Sequence, residues 1–309
     1  ALEETGLTPA DFGFFAEARQ TVIDMGIVRR KKLDVAANLP AKLIADMPVE
    51  LDDDLGRSIR QSELELGQRL LARYNALLKS SPNISRESAD TDRHPELMRM
   101  VARAELDESK AAKTGENVFT MIRKIGQAKA VLAADYTAQL ARSVGKVVFF
   151  AKHIDVMDTA EETLAKRGLK TVSIRGDQTA TFRQAQVDAF NNDPEVSVVV
   201  ASLTAAGVGL NLQAASNVVL AELSWTSAEQ TQAIDRVHRI GQAEPVTAWR
   251  IIASQTIDAK IAELIDSKAG LAARALDGSD EELVDASSVQ IDALVGLLEQ
   301  AMDAADQPI

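Results

Sequence analysis

Two arginines and a glutamine in residues 227–242, SAEQTQAIDRVHRIGQ, are the side chains best suited to chemistry. On a 3.6-residue period, Gln232, Asp235, Arg236 and Arg239 share one stripe of a helix. Arginine binds phosphate oxygens through paired hydrogen bonds and keeps its charge, so this stripe suits a polyphosphate. The alternative is a solvated helix face with an i,i+4 ion pair between Asp235 and Arg239, and the run alone does not separate the two.

The ends of this helix are marked in the sequence. Ser227, followed by Gln230 three positions later, forms a capping-box pattern that predicts a helix starting at Ala228. The helical pattern continues to His238, and Gly241 marks the break.

Short apolar runs alternate with helical patterns in the second half of the chain. This alternation predicts an α/β fold with a doubly wound parallel sheet covered by helices on both faces. The predicted strands are 146–151, 171–174, 196–201, 217–221 and 246–252, and the helices between them are 155–167, 180–190 and 228–238. Ligands usually bind where parallel strands end. The candidate loops are therefore 152–153, 175–179, 202–212 and 222–227.

The regions before and after the predicted sheet read as helical. Apolar residues recur at helical spacing there, whereas residues 80–93 are rich in turn-forming types. We predict helices at 51–77, 95–112, 257–275 and 284–302.

Two further features fall on the candidate loops. Gly207 and Gly209, in the run SLTAAGVGLNL, allow close approach of an anion to backbone amides, although many glycine-rich turns only end a strand. Trp225 follows the fourth strand, where it either anchors the core or projects as a wedge or stacking surface for nucleic acid. Trp249 lies inside an apolar strand and is assigned to the core.

Composition narrows the class of protein. The chain has 309 residues, 46% hydrophobic and 26% charged, as is typical of a soluble protein with a substantial core. It has no cysteine and three separated histidines, which excludes disulfides and thiolate metal sites and argues against zinc. No apolar run approaches the roughly 18 residues that span a bilayer, and the first residues do not resemble a signal peptide. We therefore expect a cytoplasmic protein without membrane contact.

The net charge of −12 argues against a protein that coats nucleic acid non-specifically. About two-thirds of that excess lies in residues 260–309, which hold three basic and eleven acidic side chains. The rest of the chain is nearly neutral, so a local, grooved contact with nucleic acid remains compatible with the charge.

The motifs occur together in an order that resembles the second RecA-like lobe of Swi/Snf-family ATPases, double-stranded DNA translocases of helicase superfamily two. The resembling runs are KVVFFAKH, SIRGDQT, SLTAAGVGLNL, VVLAELSW, QAIDRVHRIGQ and VTAWRIIASQTIDAKI. Residues 27–42, IVRRKKLDVAANLPAK, resemble the arginine-rich stretch between the lobes of that family. The runs SLTAAGVGL and AEL-x-W look most like the branch that includes annealing helicases and fork-remodelling enzymes.

The resemblance implies a role for each matching residue. Arg236 and Arg239 would be arginine fingers that reach the γ-phosphate of ATP, with Gln232 in the same motif; such a finger contributes on the order of 10³–10⁵ in rate. The residues assigned to the nucleotide are Gly207, Gly209, Asn211 and Asp235. The residues assigned to the backbone of double-stranded DNA are Lys152, His153, Arg175, Ser202, Thr204 and Trp225, together with Arg29 and Arg30 at the hinge between lobes.

The sequence departs from the family pattern at three places. Ala206 stands where many members have glycine, Arg175-Gly176-Asp177 replaces the commoner D-G-S, and Ser227 occupies the usual proline position. These replacements put the contacts assigned to residues 175–179 in doubt.

A larger departure is the absence of a G-x-x-x-x-G-K-[ST] phosphate loop and of a D-E-x-H motif after a strand. We therefore expect an excised C-terminal lobe, inactive as an ATPase by itself. Its N-terminal RecA-like lobe would be its partner and would bind most of the ATP and Mg²⁺. The alternatives are a stand-alone module that binds DNA or protein without turnover, and an RNA-helicase lobe.

The expected organisation has four parts. They are a lead-in and inter-lobe segment at 1–45, a helical protrusion at 46–125, a RecA-like lobe at 126–278 and an acidic C-terminal helix at 279–309. We expect the last helix to pack on the lobe; the alternatives are a brace across the two lobes and a segment that binds a partner. Its acidity disfavours direct contact with DNA, because it repels phosphate.

Overall fold

The computed structural model describes residues 39–80, 93–112, 115, 117–204, 209–275 and 286–306, and side chains 271–275 lie outside that description. Six strands and eight helices are formed in this part of the chain. The strands are β1 (Lys42–Val49), β2 (Val147–Ala151), β3 (Lys170–Ile174), β4 (Val196–Ser202), β5 (Asn217–Leu220) and β6 (Val246–Ala253). The helices are α1 (Asp54–Ser80), α2 (Pro95–Ala111), α3 (Val118–Val144), α4 (Ile154–Lys166), α5 (Ala180–Asn192), α6 (Ser227–Ile234), α7 (Ile257–Ala275) and α8 (Ala286–Asp306).

The six strands form one parallel sheet in the order β1-β6-β5-β2-β4-β3. Every residue of β2 is buried, as expected for a central strand covered on both faces. One buried cluster lies on each face of the sheet. Val148, Phe150 and Val199 belong to one, and Phe149, Val198 and Val200 belong to the other. The predicted doubly wound α/β fold is therefore confirmed. None of the described helices combines the length and apolarity needed to cross a bilayer.

The strand β1 was not among the five predicted strands. It pairs in parallel with β6, from Lys42 opposite Val246 to Val49 opposite Ala253. Arg250 of β6 anchors it, because its guanidinium binds Asp46 of β1 at 2.6 Å and Asp266 of α7 at 2.7 Å. Burial alone would lower the pKa of Arg250, but these carboxylates raise it.

A 27-residue helix, α3, was also missing from the sequence prediction. Its start is a capping box: the Asn117 side chain accepts hydrogen bonds from the backbone of Phe119 and Thr120, and the Thr120 hydroxyl accepts one from the Asn117 N–H. Its first turns pack in the helical core through Met121 and Ile125, and its later turns pack on the sheet. The helix therefore joins the two layers.

The helices α1, α2, α7 and α8 share one apolar core, so α8 packs with the helical module. Leu70 and Tyr74 of α1, Val101 of α2 and Leu294 of α8 are buried in this core. The expectation that the last helix packs on the RecA-like lobe is thus wrong for most of its contacts. Its apolar face complements two helices that lie far away in sequence, a match that periodicity within 284–302 does not reveal.

The predicted boundaries at 45/46 and 125/126 fall inside β1 and α3, respectively. The division into four parts remains a prediction.

Candidate functional site

Polar side chains follow four neighbouring strands at the edge where these strands end. They follow β5, β2, β4 and β3, which lie side by side in that order. Because the strands are parallel, their carboxyl ends share one edge of the sheet. The residues there are Glu222, Lys152, His153, Ser202, Thr204 and Arg175.

The turn after β2 is held by a carboxylate from the neighbouring strand. Oε2 of Glu222 accepts hydrogen bonds from the backbone N–H groups of Lys152 (2.7 Å) and His153 (2.9 Å). Its Oε1 lies 2.6 Å from Nδ1 of His153. Glu222 is buried, whereas Lys152 and His153 are partly exposed. The turn therefore offers two nitrogen-bearing side chains to solvent from a fixed backbone.

Glu222 was not among the predicted site residues. The signal in the sequence was a charged residue directly after an apolar strand, VVLAE, at the edge where ligands bind. Gly126 of α3 makes room for it, because a Cβ there would lie 2.5 Å from Oε1 of Glu222.

The end of β4 presents two hydroxyl groups. Ser202 is buried, Thr204 is exposed, and their hydroxyl oxygens lie 2.8 Å apart in a hydrogen bond. Their position beside Lys152 follows from the pairing of Ala151 with Ser202. The arrangement is compatible with the predicted phosphate contact, which remains a prediction.

Arg175 does not offer its guanidinium to a ligand. Its Nη2 binds Asp158 at 2.6 Å and Glu161 at 2.8 Å, both on α4, and its Nε binds the Ser173 hydroxyl at 3.0 Å. Burial alone would lower the pKa of Arg175, but the two carboxylates raise it. These ion pairs argue against a contact between Arg175 and DNA, and the assignment of Arg175 to DNA remains a prediction.

Trp225 is part of the core. Its side chain is buried and meets the ring of Phe119 edge-on, with centroids 6.4 Å apart at an angle of 85°. A wedge or stacking surface for DNA needs an exposed ring, so the buried ring contradicts that reading of Trp225 and agrees with the alternative of a core anchor. Trp249 is half-buried and donates its indole N–H to the side-chain oxygen of Asn217 at 3.1 Å.

The predicted helix carrying the arginines is wrong at both ends. Thr226, not Ser227, caps α6, because its side chain accepts the Glu229 N–H, and α6 ends at Ile234. Arg236 and Arg239 therefore lie in the turns that follow, and no continuous helical stripe joins them to Gln232. The alternative ion pair between Asp235 and Arg239 is not formed in the described structure.

Hydrogen bonds join the arginine run to the described end of the loop that follows β4. The N–H of Leu212 donates to the carbonyl of Arg236 at 3.0 Å, and Nη1 of Arg239 donates to the carbonyl of Leu210 at 3.1 Å. Gln242 adds a side-chain hydrogen bond to the carbonyl of Ala215 at 2.8 Å. Two i→i−4 bonds persist next to these hydrogen bonds, from the N–H of Asp235 to the carbonyl of Thr231 and from the N–H of His238 to the carbonyl of Ile234. The arginine run, residues 235–242, and the part of the loop that it contacts, residues 210–215, are called the arginine unit below.

The lead-in to β1 contacts the same unit. Nε2 of His238 lies 2.7 Å from the carbonyl oxygen of Pro40, and Nζ of Lys42 lies 3.6 Å from Oδ1 of Asp235. His238 is buried and Asp235 is half-buried. The carboxylate of Asp235 is thus paired with Lys42 of β1. Its assignment to the nucleotide remains a prediction.

The two groups of residues lie at opposite ends of the sheet. Pro40 and Ala215 lead into the first residues of β1 and β5, so the arginine unit lies against the amino-terminal edge. The turn at Lys152 lies at the carboxyl edge. The five residues of β2 separate these edges by roughly 16 Å at about 3.3 Å per residue.

Arg236 has the chemistry expected of a group that binds an anion. Burial lowers the pKa of its guanidinium and the charge of Arg239 lowers it further, whereas Asp235 opposes this effect. Its buried Nε has no hydrogen-bond partner among the described residues. Buried donors are normally paired, and two neighbouring guanidiniums attract a polyphosphate. The residues therefore fit the phosphate end of a nucleotide.

The remaining predicted residues fall into two groups. Gln232 and Asn211 are exposed near the arginine unit, and Gly209 adopts a φ of 34°, in the left-handed region that favours glycine. Arg29, Arg30 and Gly207 lie outside the described residues. In the described ranges, no group of three or more potential ligands is arranged to hold a metal ion.

Comparison with known proteins identifies a matching domain family and similar sequences. A helicase conserved C-terminal domain matches residues 128–241. An uncharacterized ATP-dependent helicase of Mycoplasma genitalium, MG018, is 29% identical over 266 residues, which is 81% of this chain and 22% of that protein. The bovine DNA annealing helicase and endonuclease ZRANB3 is 26% identical over 268 residues, covering 86% of this chain and 22% of its own. The chain thus spans about a fifth of the length of these relatives.

A solved structure shares the fold. The C-terminal part of the Fun30 ATPase domain superposes with a TM-score of 0.54 and 19% sequence identity, over 85% of this chain and all of that structure.

Proposed function

Because this chain carries the C-terminal RecA-like lobe of Swi/Snf-type helicases, we propose that it is half of an ATP-driven translocase on double-stranded DNA. The other half would be an N-terminal RecA-like lobe that binds most of the ATP and Mg²⁺. This chain would supply arginine fingers at one edge of its sheet and part of the DNA track at the other. The observation that carries the proposal is the half-buried Arg236, whose Nε lacks a partner among the described residues.

The arginine unit would act on the phosphates of ATP when the lobes close. ATP supplies the phosphoryl group whose transfer to water releases energy. Arg236 and Arg239 would stabilise the negative charge that develops on the equatorial oxygens during that transfer. The hydrogen bond from Arg239 to the Leu210 carbonyl uses one of the five N–H donors of the guanidinium, so the loop orients the finger and leaves donors for phosphate.

The carboxyl edge would follow the DNA backbone. Lys152, His153 and the Thr204 hydroxyl lie on adjacent turns there, and the Lys152 ammonium and the Thr204 hydroxyl are donors suited to phosphate oxygens. Contacts of this kind carry no base specificity, so we expect binding that depends on salt and not on sequence. Residues 209–212 follow Ser202 and Thr204 of the carboxyl edge in sequence and contact the arginine run at the other edge. This segment is therefore the candidate link between ATP hydrolysis and movement along DNA.

The test is reconstitution of the ATPase. The chain alone should hydrolyse ATP negligibly, and addition of the N-terminal lobe of a Swi/Snf-type helicase should restore hydrolysis that duplex DNA stimulates. Arg239→Ala should then reduce kcat by on the order of 10³ or more. Arg183→Ala, on α5, is the matched control and should leave kcat unchanged. Wild-type hydrolysis by the Arg239→Ala protein would refute the finger assignment, and absence of rescue with retained DNA binding would favour a stand-alone binding module.

A further inference from the structure

We propose that Glu222 is a positioning residue that holds Lys152 and His153 in the geometry needed to bind a DNA phosphate. This inference rests on the proposed function, because it assigns Lys152 and His153 to the DNA track. It adds a role for a buried carboxylate that itself touches neither DNA nor nucleotide.

The first argument is the cost of placing a charge at this position. Glu222 is 4% exposed, and a buried carboxylate is strongly unfavourable unless donors surround it. Its Oε2 accepts the backbone N–H groups of Lys152 and His153, and its Oε1 faces Nδ1 of His153. All three nitrogen atoms belong to the turn of Lys152 and His153, so the hydrogen bonds of the Glu222 carboxylate hold that turn.

The second argument is the orientation of the histidine ring. Nδ1 faces a carboxylate, so it carries the proton, and the neutral ring then leaves Nε2 without one. Within the described part of the chain, Nε2 of His153 has no hydrogen-bond partner, and the side chain is 26% exposed. The contact with Glu222 thus fixes the orientation of the ring next to Lys152.

The third argument comes from α3. A Cβ on Gly126 would lie 2.5 Å from Oε1 and 2.9 Å from Cδ of Glu222, so this helix approaches the carboxylate as closely as a glycine permits. The backbone of α3 therefore forms the far wall of the pocket that contains Glu222. Three elements converge on one carboxylate, and the surface that they shape is the turn after β2.

A purely electrostatic view makes the opposite prediction for DNA binding. If Glu222 only added negative charge near the track, its removal would strengthen binding to DNA. If it positions the turn, its removal weakens binding, because Lys152 and His153 lose their fixed backbone. The sign of the change in affinity therefore separates the two roles.

The experiment measures binding of the full chain to a fluorescein-labelled 30-base-pair duplex by anisotropy, at several salt concentrations. Glu222→Ala should weaken binding severalfold and reduce the slope of log Kd against log salt by about 1, as expected for one lost phosphate contact. Lys152→Ala should do the same. Glu222→Gln should bind like the wild type, because its amide oxygen still accepts the two backbone N–H groups. Glu229→Ala, which removes an exposed glutamate of α6, is the control for charge and should bind equally well or slightly better.

A second variant keeps the test decisive if Glu222→Ala is unstable. Gly126→Ala leaves the carboxylate in the chain but displaces it, so it should reproduce the smaller salt slope. Thermal melts would identify any variant that is unfolded. If Glu222→Ala and Gly126→Ala bind DNA like the wild type or better while Lys152→Ala binds weakly, the positioning role is wrong. If the wild type does not bind the duplex, or Lys152→Ala has no effect, the proposed DNA track itself is wrong.

Discussion

The ammonium group of Lys129 lies 2.6 Å from the carboxylate of Asp258, and both side chains are almost completely buried. Lys129 also donates to the carbonyl of Ile251 at 2.6 Å, and Asp258 accepts the backbone N–H of Ala253 at 3.0 Å. The pair therefore ties α3 to the end of β6 and the start of α7, which joins the helical module to the sheet.

Breaking this pair should destabilise the fold strongly. Lys129→Met leaves Asp258 as an uncompensated buried charge, and we expect a loss of about 3–5 kcal/mol in the free energy of unfolding. The double variant Lys129→Met/Asp258→Asn removes that charge and should recover part of the loss. Urea denaturation measures both. Lys260→Ala, which breaks an exposed pair with Glu263, should cost less than about 1 kcal/mol. If Lys129→Met and Lys260→Ala lost equal stability, the special role of the buried pair would be contradicted.

Glu63 predicts a dependence of stability on pH. Burial raises the pKa of Glu63 from 4.5 to about 7; the hydrogen bond from the Ile257 N–H opposes this shift and the Asp258 carboxylate adds to it. Between pH 4.5 and 7 the folded state therefore binds more protons than the unfolded state, so this contribution is full at low pH and is lost as pH rises through 7. Glu63→Gln keeps an acceptor for Ile257 without the charge. It should be more stable than the wild type by about 1–2 kcal/mol at pH 8.

The comparison for Glu63 is Glu65→Gln, an exposed change two residues away on α1. It should leave the pH profile of unfolding unchanged. A Glu63→Gln protein whose stability falls between pH 5 and 7 as steeply as that of the wild type would show that another group titrates.

Arg175 should matter for stability and not for DNA. Because its guanidinium is held by Asp158 and Glu161, Arg175→Ala should change the affinity for duplex DNA less than twofold while lowering stability by about 1 kcal/mol. Thermal melts and anisotropy on the same preparations measure the two effects. A reduced salt slope for Arg175→Ala would restore it to the DNA track.

Trp225 should behave as a core residue. Trp225→Ala removes a buried ring that packs on Phe119, and we expect a loss of about 3–5 kcal/mol in unfolding free energy. Trp225→Phe keeps most of the apolar area, should be milder, and should bind duplex DNA like the wild type. Weaker DNA binding by a folded Trp225→Phe protein would mean that the ring has a direct role.

The parts of the fold that could be predicted are those whose signal is local. Strands buried on both faces are apolar throughout, as in VVFFA of β2, so the central strands stood out in the sequence. β1 did not, because it is a largely exposed strand that contains Asp46 and Pro48, and its partner β6 lies about 200 residues away.

The site could be predicted in residue type but not in geometry. The arginine run followed a helical period, yet α6 ends at Ile234, and the run continues in turns that bond to residues 210–215. Such contacts depend on the tertiary structure and leave no periodicity in the run. Arg175 shows the same dependence on tertiary structure. Its partners are Asp158 and Glu161 of α4, and acidic residues at that spacing are equally typical of an exposed helix face.

The pairing of β1 with β6 and the packing of α8 on α1 and α2 have a consequence for synthesis. Among the described strands β1 pairs only with β6, and α8 covers part of α1 and α2, so these contacts form only after most of the chain has left the ribosome. Until then, the apolar surface of α1 and α2 that α8 covers is exposed to other chains. We therefore expect truncation before residue 286 to produce a protein that aggregates, even though the sheet and its loops are complete.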